Sequence, residues 1–391
     1  MSKRAYKYRF YPTPEQVHNL ACTFGCCRFV YNWALRTRTT AYFQHGQKLY
    51  YNDLSAALPA LKTDEGTAWL KEVSSVPLQQ SLVHLDKALV NFFEGRAKYP
   101  VYKKKHKQQS ATYTATAFRW DGTCLTLAKQ QEPLAIVWSR PLPENAKPSS
   151  VTISKDQSGR YFVSMLVEEE IALLPSIDKA IGIDLGLKSF LVTSDGEAIA
   201  NPKYYARDEK KLAKAQRRHA KKKKGSKNRN KARIKLARLH ARIADTRRDF
   251  QHKLSTRLIR ENQVICLETL AVKNMLQNHC LAKAIQDVGW SEFVRQLEYK
   301  GEWYGRTVVK IDRWFPSSKT CSACGHVMDD MPLDIRAWAC PACGIFHDRD
   351  SNAAQNILAA GLAASACGEQ VRPVVAKAAA GTGRRSRKSS S

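Results

Sequence analysis

The sequence predicts a multidomain α/β protein, and three observations carry that reading. At 391 residues the chain is long enough for two or three domains with substantial cores. Its first half sets amphipathic helical stretches between short alternating runs, whereas its second half strings strand, strand, strand, helix, strand, helix, strand, helix in that order. Near the end of that second half falls a C-x2-C-x15-C-x2-C spacing.

Composition narrows the function classes. With 43% apolar and 25% charged residues the chain is an ordinary globular protein, neither disordered nor collagenous. No apolar run reaches the length of a membrane span, and the Met-Ser-Lys-Arg start has no apolar signal core behind it, so a cytoplasmic protein without a membrane partner is expected. The 64 Lys and Arg against 35 Asp and Glu leave +29, which points to a polyanionic partner, nucleic acid ahead of a membrane surface. Four of the eleven cysteines pair as C-x-x-C and the rest form no regular framework, which reads as metal chemistry in a reducing compartment.

Residues 4–11 place Tyr6, Tyr8 and Phe10 on one face and Lys7 and Arg9 on the other, the period of a half-buried strand. Thr13-Pro14-Glu15-Gln16 then forms a capping box with proline at the first helical position, so a helix begins here. Cys22, Cys26 and Cys27 on it lack a second ligand pair nearby and read as small buried thiols. Leu78, Leu82, Leu85, Leu89 and Phe92 write a second amphipathic helix ending near Gly95. In Tyr99-Pro100-Val101-Tyr102-Lys103-Lys104-Lys105-His106-Lys107, aromatics beside a lysine run suit a phosphate backbone with stacked bases, a plain basic loop being the alternative. Short strands follow at 112–118, 124–127, 134–138 and 151–168, the last folded by a turn at Asp156-Gln157-Ser158-Gly159. They argue a small β-barrel that residues 4–11 complete, with the intervening helices as an insertion.

Pro175 marks a boundary. Beyond it, Ile181-Gly182-Ile183-Asp184-Leu185-Gly186 is a short apolar strand that delivers one acid to its end, and a buried acid needs an ion, a cation or backbone donors. A turn-capping Asp is the plainer alternative. Strands at 189–194, 197–201, 263–268 and 307–312 and helices at 287–304 and from about Ser351 complete the order of an RNase H-like fold. In that fold the first and fourth strands are neighbours, so Asp184 and Glu268 are expected side by side.

Between residues 203 and 260 lie 23 Lys and Arg against 4 Asp and Glu, which locates 19 of the 29 net charges. Arg217, Arg218, Lys221, Lys222, Lys223, Lys224, Lys227 and Arg229 fall in the densest part, broken by Gly225-Ser226. Self-repulsion of this density is tolerated mainly where phosphates neutralise it.

Cys321, Cys324, Cys340 and Cys343 fit one tetrahedral, structural Zn2+, with Gly325 and Gly344 letting each knuckle turn. His326 and His347 are not required by a four-thiolate set. In His347-Asp348-Arg349-Asp350 the two acids open a helix; Asp348 is assigned to capping and Asp350 to catalysis. Asp184, Glu268 and Asp350 then supply three oxygen ligands around one cleft, a set that selects Mg2+ or Mn2+ and suits two-ion phosphodiester hydrolysis.

Those three acid-bearing segments, together with Tyr299-Lys300-Gly301-Glu302-Trp303-Tyr304-Gly305-Arg306 and Pro316-Ser317-Ser318-Lys319-Thr320, resemble the TnpB family, compact transposon-encoded relatives of type V CRISPR effectors. Residues 6–16 and 24–32 share the likeness. The resemblance implies an RNA-guided DNA endonuclease of transposon origin that takes a guide RNA from the transposon end and cleaves target double-stranded DNA next to a short adjacent motif. It implies a RuvC-like nuclease domain at 175–316 and 346–368 with an inserted zinc ribbon at 317–345. A wedge-type β-barrel at 1–12 and 110–174 would carry a helical recognition insertion at 13–109. The resemblance also maps the catalytic acids onto Asp184, Glu268 and Asp350. A cytoplasmic, nucleoid-associated location follows, with monomer and dimer both open. Two other readings are a guide-dependent repressor that does not cut and a cut-and-paste transposase of RNase H-like fold; the intact acids favour the nuclease. Residues 369–391, rich in Ala, Gly, Arg and Ser, read as a disordered tail.

Overall fold

The computed structural model describes residues 2–332 and 334–366, so the expected tail lies outside the described residues. The chain divides into two compact units, residues 2–171 with Lys211–Arg242 and residues 172–210 with the described residues from 243 onward.

In the first unit β1 (Ser2–Phe10) leads into α1 (Pro14–His45), α2 (Tyr51–Thr63), a 3-10 segment (Glu65–Glu72) and α3 (Ser75–Phe93). Short strands β2 (Gln109–Thr114), β3 (Phe118–Trp120), β4 (Leu125–Leu127) and β5 (Ile136–Val137) precede the hairpin of β6 (Ser150–Lys155) and β7 (Tyr161–Glu169). The capping box forms as written: the Gln16 amide donates to Thr13 Oγ1 at 3.3 Å and the Thr13 amide to Gln16 Oε1 at 3.1 Å. Tyr6, Tyr8 and Phe10 are buried, as the alternation demands, and burial pushes the Cys26 and Cys27 thiols up to about 12 and about 11. Hydrogen bonding gives an antiparallel sheet of order β2-β6-β7-β1-β5 whose two ends do not pair, with β3 and β4 as a separate ribbon. By its hydrogen bonds the expected barrel is therefore an open five-stranded sheet, completed by β1.

The second unit begins with β8 (Ala180–Leu185), β9 (Ser189–Thr193) and β10 (Ala198–Ala200). Helices α4 (Tyr204–Ala220) and α5 (Lys227–Glu261) follow, of which residues 211–242 belong to the first unit, then β11 (Val264–Glu268), α6 (Val272–Met275), α7 (Ala282–Val288), α8 (Trp290–Tyr304) and β12 (Thr307–Ile311). A two-stranded ribbon, β13 (Ala337–Ala339) with β14 (Phe346–Asp348), runs into α9 (Arg349–Ala366). The sheet order is β10-β9-β8-β11-β12, antiparallel on the β9 and β10 side and parallel through β8, β11 and β12. The helix expected at 287–304 is α8, which starts at Trp290 because Gly289 at φ +68° separates it from α7.

The Tyr299-to-Arg306 segment is a scaffold of this unit. The buried Lys300 ammonium donates to His252 O, Ser255 Oγ and Thr256 Oγ1 at 2.7–2.9 Å, pinning α8 to α5, and burial lowers its pKa to about 8. The buried Arg306 guanidinium donates to Ile259 O, Gln263 Oε1 and Pro175 O, fixing the chain's entry into β8.

Candidate active site and metal centre

Two short apolar strands place the first two acids. β8 and β11 pair in parallel with Ile183 opposite Leu267, so the next residues, Asp184 and Glu268, leave the sheet side by side. Burial first, then the negative charges of Glu268 and Asp350, push Asp184 up to about 7, against the pull of Arg349; burial also raises Glu268. Carboxylates that repel one another in a desolvated cleft are a set in need of cations.

The third acid arrives on α9. Asp348 accepts from the Ser351 amide at 2.9 Å and caps the helix, while Asp350 lies within 3.4 Å of the Arg336 guanidinium. Arg336 is a site residue that sequence reasoning missed, and it is joined to the same corner by its carbonyl, which accepts from the Arg349 amide. α9 reaches the sheet because two glycines let it. A Cβ on Gly182 of β8 would stand 2.1 Å from Ala354 O, and one on Gly361 of α9 would stand 2.3 Å from Cys266 Sγ of β11. Gly182→Ala is therefore expected to displace α9 and cost about 1–3 kcal/mol as overpacking does. Thermal unfolding should show the loss, and an unchanged Tm would contradict the close approach.

The buried Asn352 and Asn356 of α9, poor helix formers one turn apart, hold the chain entering the cysteine cluster. Both donate to Thr320 O, at 2.7 and 2.6 Å, and Asn356 also to Ser317 O, while the Ser322 amide donates to Asn352 Oδ1.

The four sulfurs of Cys321, Cys324, Cys340 and Cys343 all lie within 4.8 Å of one another. Zinc–sulfur bonds of about 2.3 Å imply tetrahedron edges of about 3.8 Å, and two of these edges measure 3.7 Å (Cys321 to Cys343) and 3.6 Å (Cys324 to Cys340). The donor set therefore fits zinc in number, chemistry and spacing. Gly325 and Gly344 adopt φ of +76° and +72°, the left-handed turn each knuckle needs. His347, outside the ligand set, brings Nε2 to 3.0 Å from Cys321 Sγ and stacks near Trp338, an outer-sphere contact the sequence did not announce. Among the described residues the four thiols are the one group gathered this tightly.

The basic residues divide. Arg217, Arg218, Lys221, Lys222, Lys223, Lys224 and Lys227 are exposed on the end of α4, the following turn and the start of α5, as are Lys104 and Lys105. Lys105, Lys107, Lys155, Lys224, Lys227 and Arg233 face one cavity of about 1210 Å³ in the first unit. Asp156, in the same cavity, is already paired with Arg160. Two residues also make contacts within the protein. Arg229 donates to His219, Ala220 and Lys222 carbonyls and so caps α4. Lys103, exposed like its neighbours, lies 4.0 Å over the Tyr31 ring with its backbone held by Asn32.

Residues 163–279 match the family model OrfB_IS605, described as probable transposase. Residues 290–357 match the Cas12f1-like TNB domain, and residues 1–47 match a helix-turn-helix domain model, although here they form one strand and one long helix. The chain is 57% identical over 372 residues to a Streptomyces pristinaespiralis protein named "Putative RNA-guided DNA endonuclease", covering 95% of this chain and 92% of that one. It is 32% identical over 392 residues to the protein of Escherichia coli (strain K12) given the same description and the name InsQ, covering 94% and 95%. Its fold resembles a chain from a cryo-EM structure of a Cas12f1-sgRNA-target DNA complex, with a TM-score of 0.55 at 14% identity, covering 91% of this chain and 98% of that one.

Proposed function

The chain belongs to the TnpB family, and from that premise we propose that it is an RNA-guided, Mg2+-dependent DNA endonuclease that cleaves target DNA beside a short adjacent motif. The observation that carries this reading is the parallel β8 and β11 register, which sets Asp184 next to Glu268 with Asp350 close enough to raise Asp184 further. On this reading residues 175–316 and 346–368 act as a RuvC-like domain and 317–345 as its zinc ribbon. The sheet around β1 and β7 acts as the wedge and 13–109 as the recognition insertion. Bound Mg2+ ions supply an activated water and stabilise the leaving oxygen of the phosphodiester. Asp184, Glu268 and Asp350 would hold those ions; Arg336 orients Asp350, and Asp348 and the Asn352 and Asn356 contacts keep the start of α9 in place. The exposed cations would hold the guide RNA and the target DNA by their phosphates, leaving sequence choice to base pairing.

The purified particle is expected to carry RNA and to lose target cleavage when treated with ribonuclease or with a chelator of divalent cations. Cleavage of transposon ends by RNA-free protein would instead favour the transposase reading. The basic residues make a separate prediction. Neutralising Arg217, Arg218, Lys221, Lys222, Lys223 and Lys224 together should flatten the fall of log affinity with log salt by roughly 0.7–0.9 for each phosphate contact removed. Filter binding of guide RNA across a salt series measures it, and equal slopes in wild type and variant would assign this charge to a solvated face.

A further inference from the structure

We propose that a second cavity of the first unit, about 620 Å³ between α1, the 3-10 segment and the loop before β2, is a binding site for one unpaired nucleobase of a bound strand. The inference rests on the nucleic-acid reading above and adds to it a base-binding site. Its walls are flat rings, with Phe29 and Trp33 from α1, Trp69 from the 3-10 segment and Tyr102 from the loop. Phe29 and Trp69 meet edge to face at 5.1 Å, while Trp69 and Tyr102 remain 37% and 51% exposed. The Trp69 Nε1–H donates to Gly66 O at 3.1 Å, so this ring is oriented before any ligand arrives.

The polar groups sort in the same direction. The Asn32 amide is spent on both backbone groups of Lys103. Glu72 is exposed with no hydrogen-bond or ion-pair partner among the described residues, an acceptor for the exocyclic amino edge of a base. Arg36, likewise exposed and without an ion-pair partner among the described residues, supplies a cation to the same rim.

What decides the occupant is continuity. Gly25 and Arg28 line both this cavity and the basic one of about 1210 Å³, so a strand whose phosphates lie along the lysines presents its bases at the aromatic mouth. Aromatic faces accept any base by stacking, and the charge of the neighbouring cavity selects a polyanion over an apolar peptide.

The test uses full-length protein freed of co-purifying nucleic acid. The probes are single-stranded thymidine and uridine 12-mers, each with one central 4-thio base. Irradiation is expected to crosslink that base to Trp69 or Tyr102. Trp69→Ala should abolish the crosslink and weaken binding about fivefold or more, as loss of one base–aromatic stack does, while leaving the salt slope unchanged and Trp69→Phe near wild type. The stronger of the two 12-mers identifies the strand as DNA or RNA. Tight, salt-dependent binding with crosslinks confined to other residues and no effect of Trp69→Ala would overturn the pocket alone. Failure of wild type to bind either 12-mer would overturn the nucleic-acid reading with it.

Discussion

Replacing Asp184, Glu268 or Asp350 singly with alanine is expected to lower target cleavage by about three orders of magnitude or more, since each removes a proposed ligand of the Mg2+ ions. Guided DNA binding should persist, because the cations proposed to hold phosphates lie on α4, α5 and the 104–107 loop. Asp348→Ala is the internal control. It removes the cap on the Ser351 amide, worth about 1 kcal/mol, without removing a cation ligand, so it should cut at a reduced rate. An inactive Asp348→Ala beside an active Asp350→Ala would reverse the two assignments. The same acids set a pH dependence. Asp184, raised to about 7, is protonated below that value, and a protonated carboxyl competes with a cation, so Mg2+ affinity should fall as pH drops through 7. For the metal-free protein the sign is opposite. A carboxyl raised above its unfolded value favours the folded state below about pH 4 and loses that contribution as pH climbs toward 7. Unfolding scans without divalent cations should therefore show stability falling over that interval, and Asp184→Asn should remove the trend.

How much of this was legible in the sequence depends on the range of each signal. The Thr13 capping box, the alternation of β1 and the two C-x-x-C knuckles are local, and each formed within a few residues of where it is written. The adjacency of Asp184 and Glu268, 84 residues apart, was legible because the order of strands and helices is that of an RNase H-like fold, in which the first and fourth strands are neighbours. Signals that depend on a distant partner were not. Arg336 stands in a loop with no period, and only the fold of the ribbon brings it to Asp350. That Lys103 lies over Tyr31, on another element, and that Arg229 donates to the carbonyls ending α4, could not be read from the run of charges. α2 escaped notice because Pro59 interrupts it and its N-cap is a tyrosine. The helix-turn-helix pattern over residues 1–47 meets the same limit: in this fold those residues are β1 and a single helix.

Removing the zinc should be nearly as damaging as removing an acid, although no cysteine touches the carboxylates. Fresh, unchelated protein should carry one zinc per chain, and less than about half an equivalent by elemental analysis would count against the four-thiolate assignment. Replacing Cys321, Cys324, Cys340 or Cys343 with serine should release it, and because bound-state free energy of a structural zinc, about 10–16 kcal/mol in small peptides, doubles as folding free energy, the ribbon should unfold locally. The consequence travels along named contacts. Asn352 and Asn356 hold α9 to the chain from Ser317 to Ser322, and Arg336, between the two knuckles, holds Asp350. A melted ribbon therefore frees the start of α9 and the third acid while Asp184 and Glu268 stay fixed on the sheet, so cleavage should fall with guide-RNA affinity unchanged. His347→Ala separates the outer contact from the ligands: it should weaken zinc binding about 10–100-fold yet leave cleavage intact at saturating zinc. Full activity in a zinc-free cysteine variant would show that α9 is held by its packing on Gly182 of β8 and, through Gly361, on Cys266 of β11 alone.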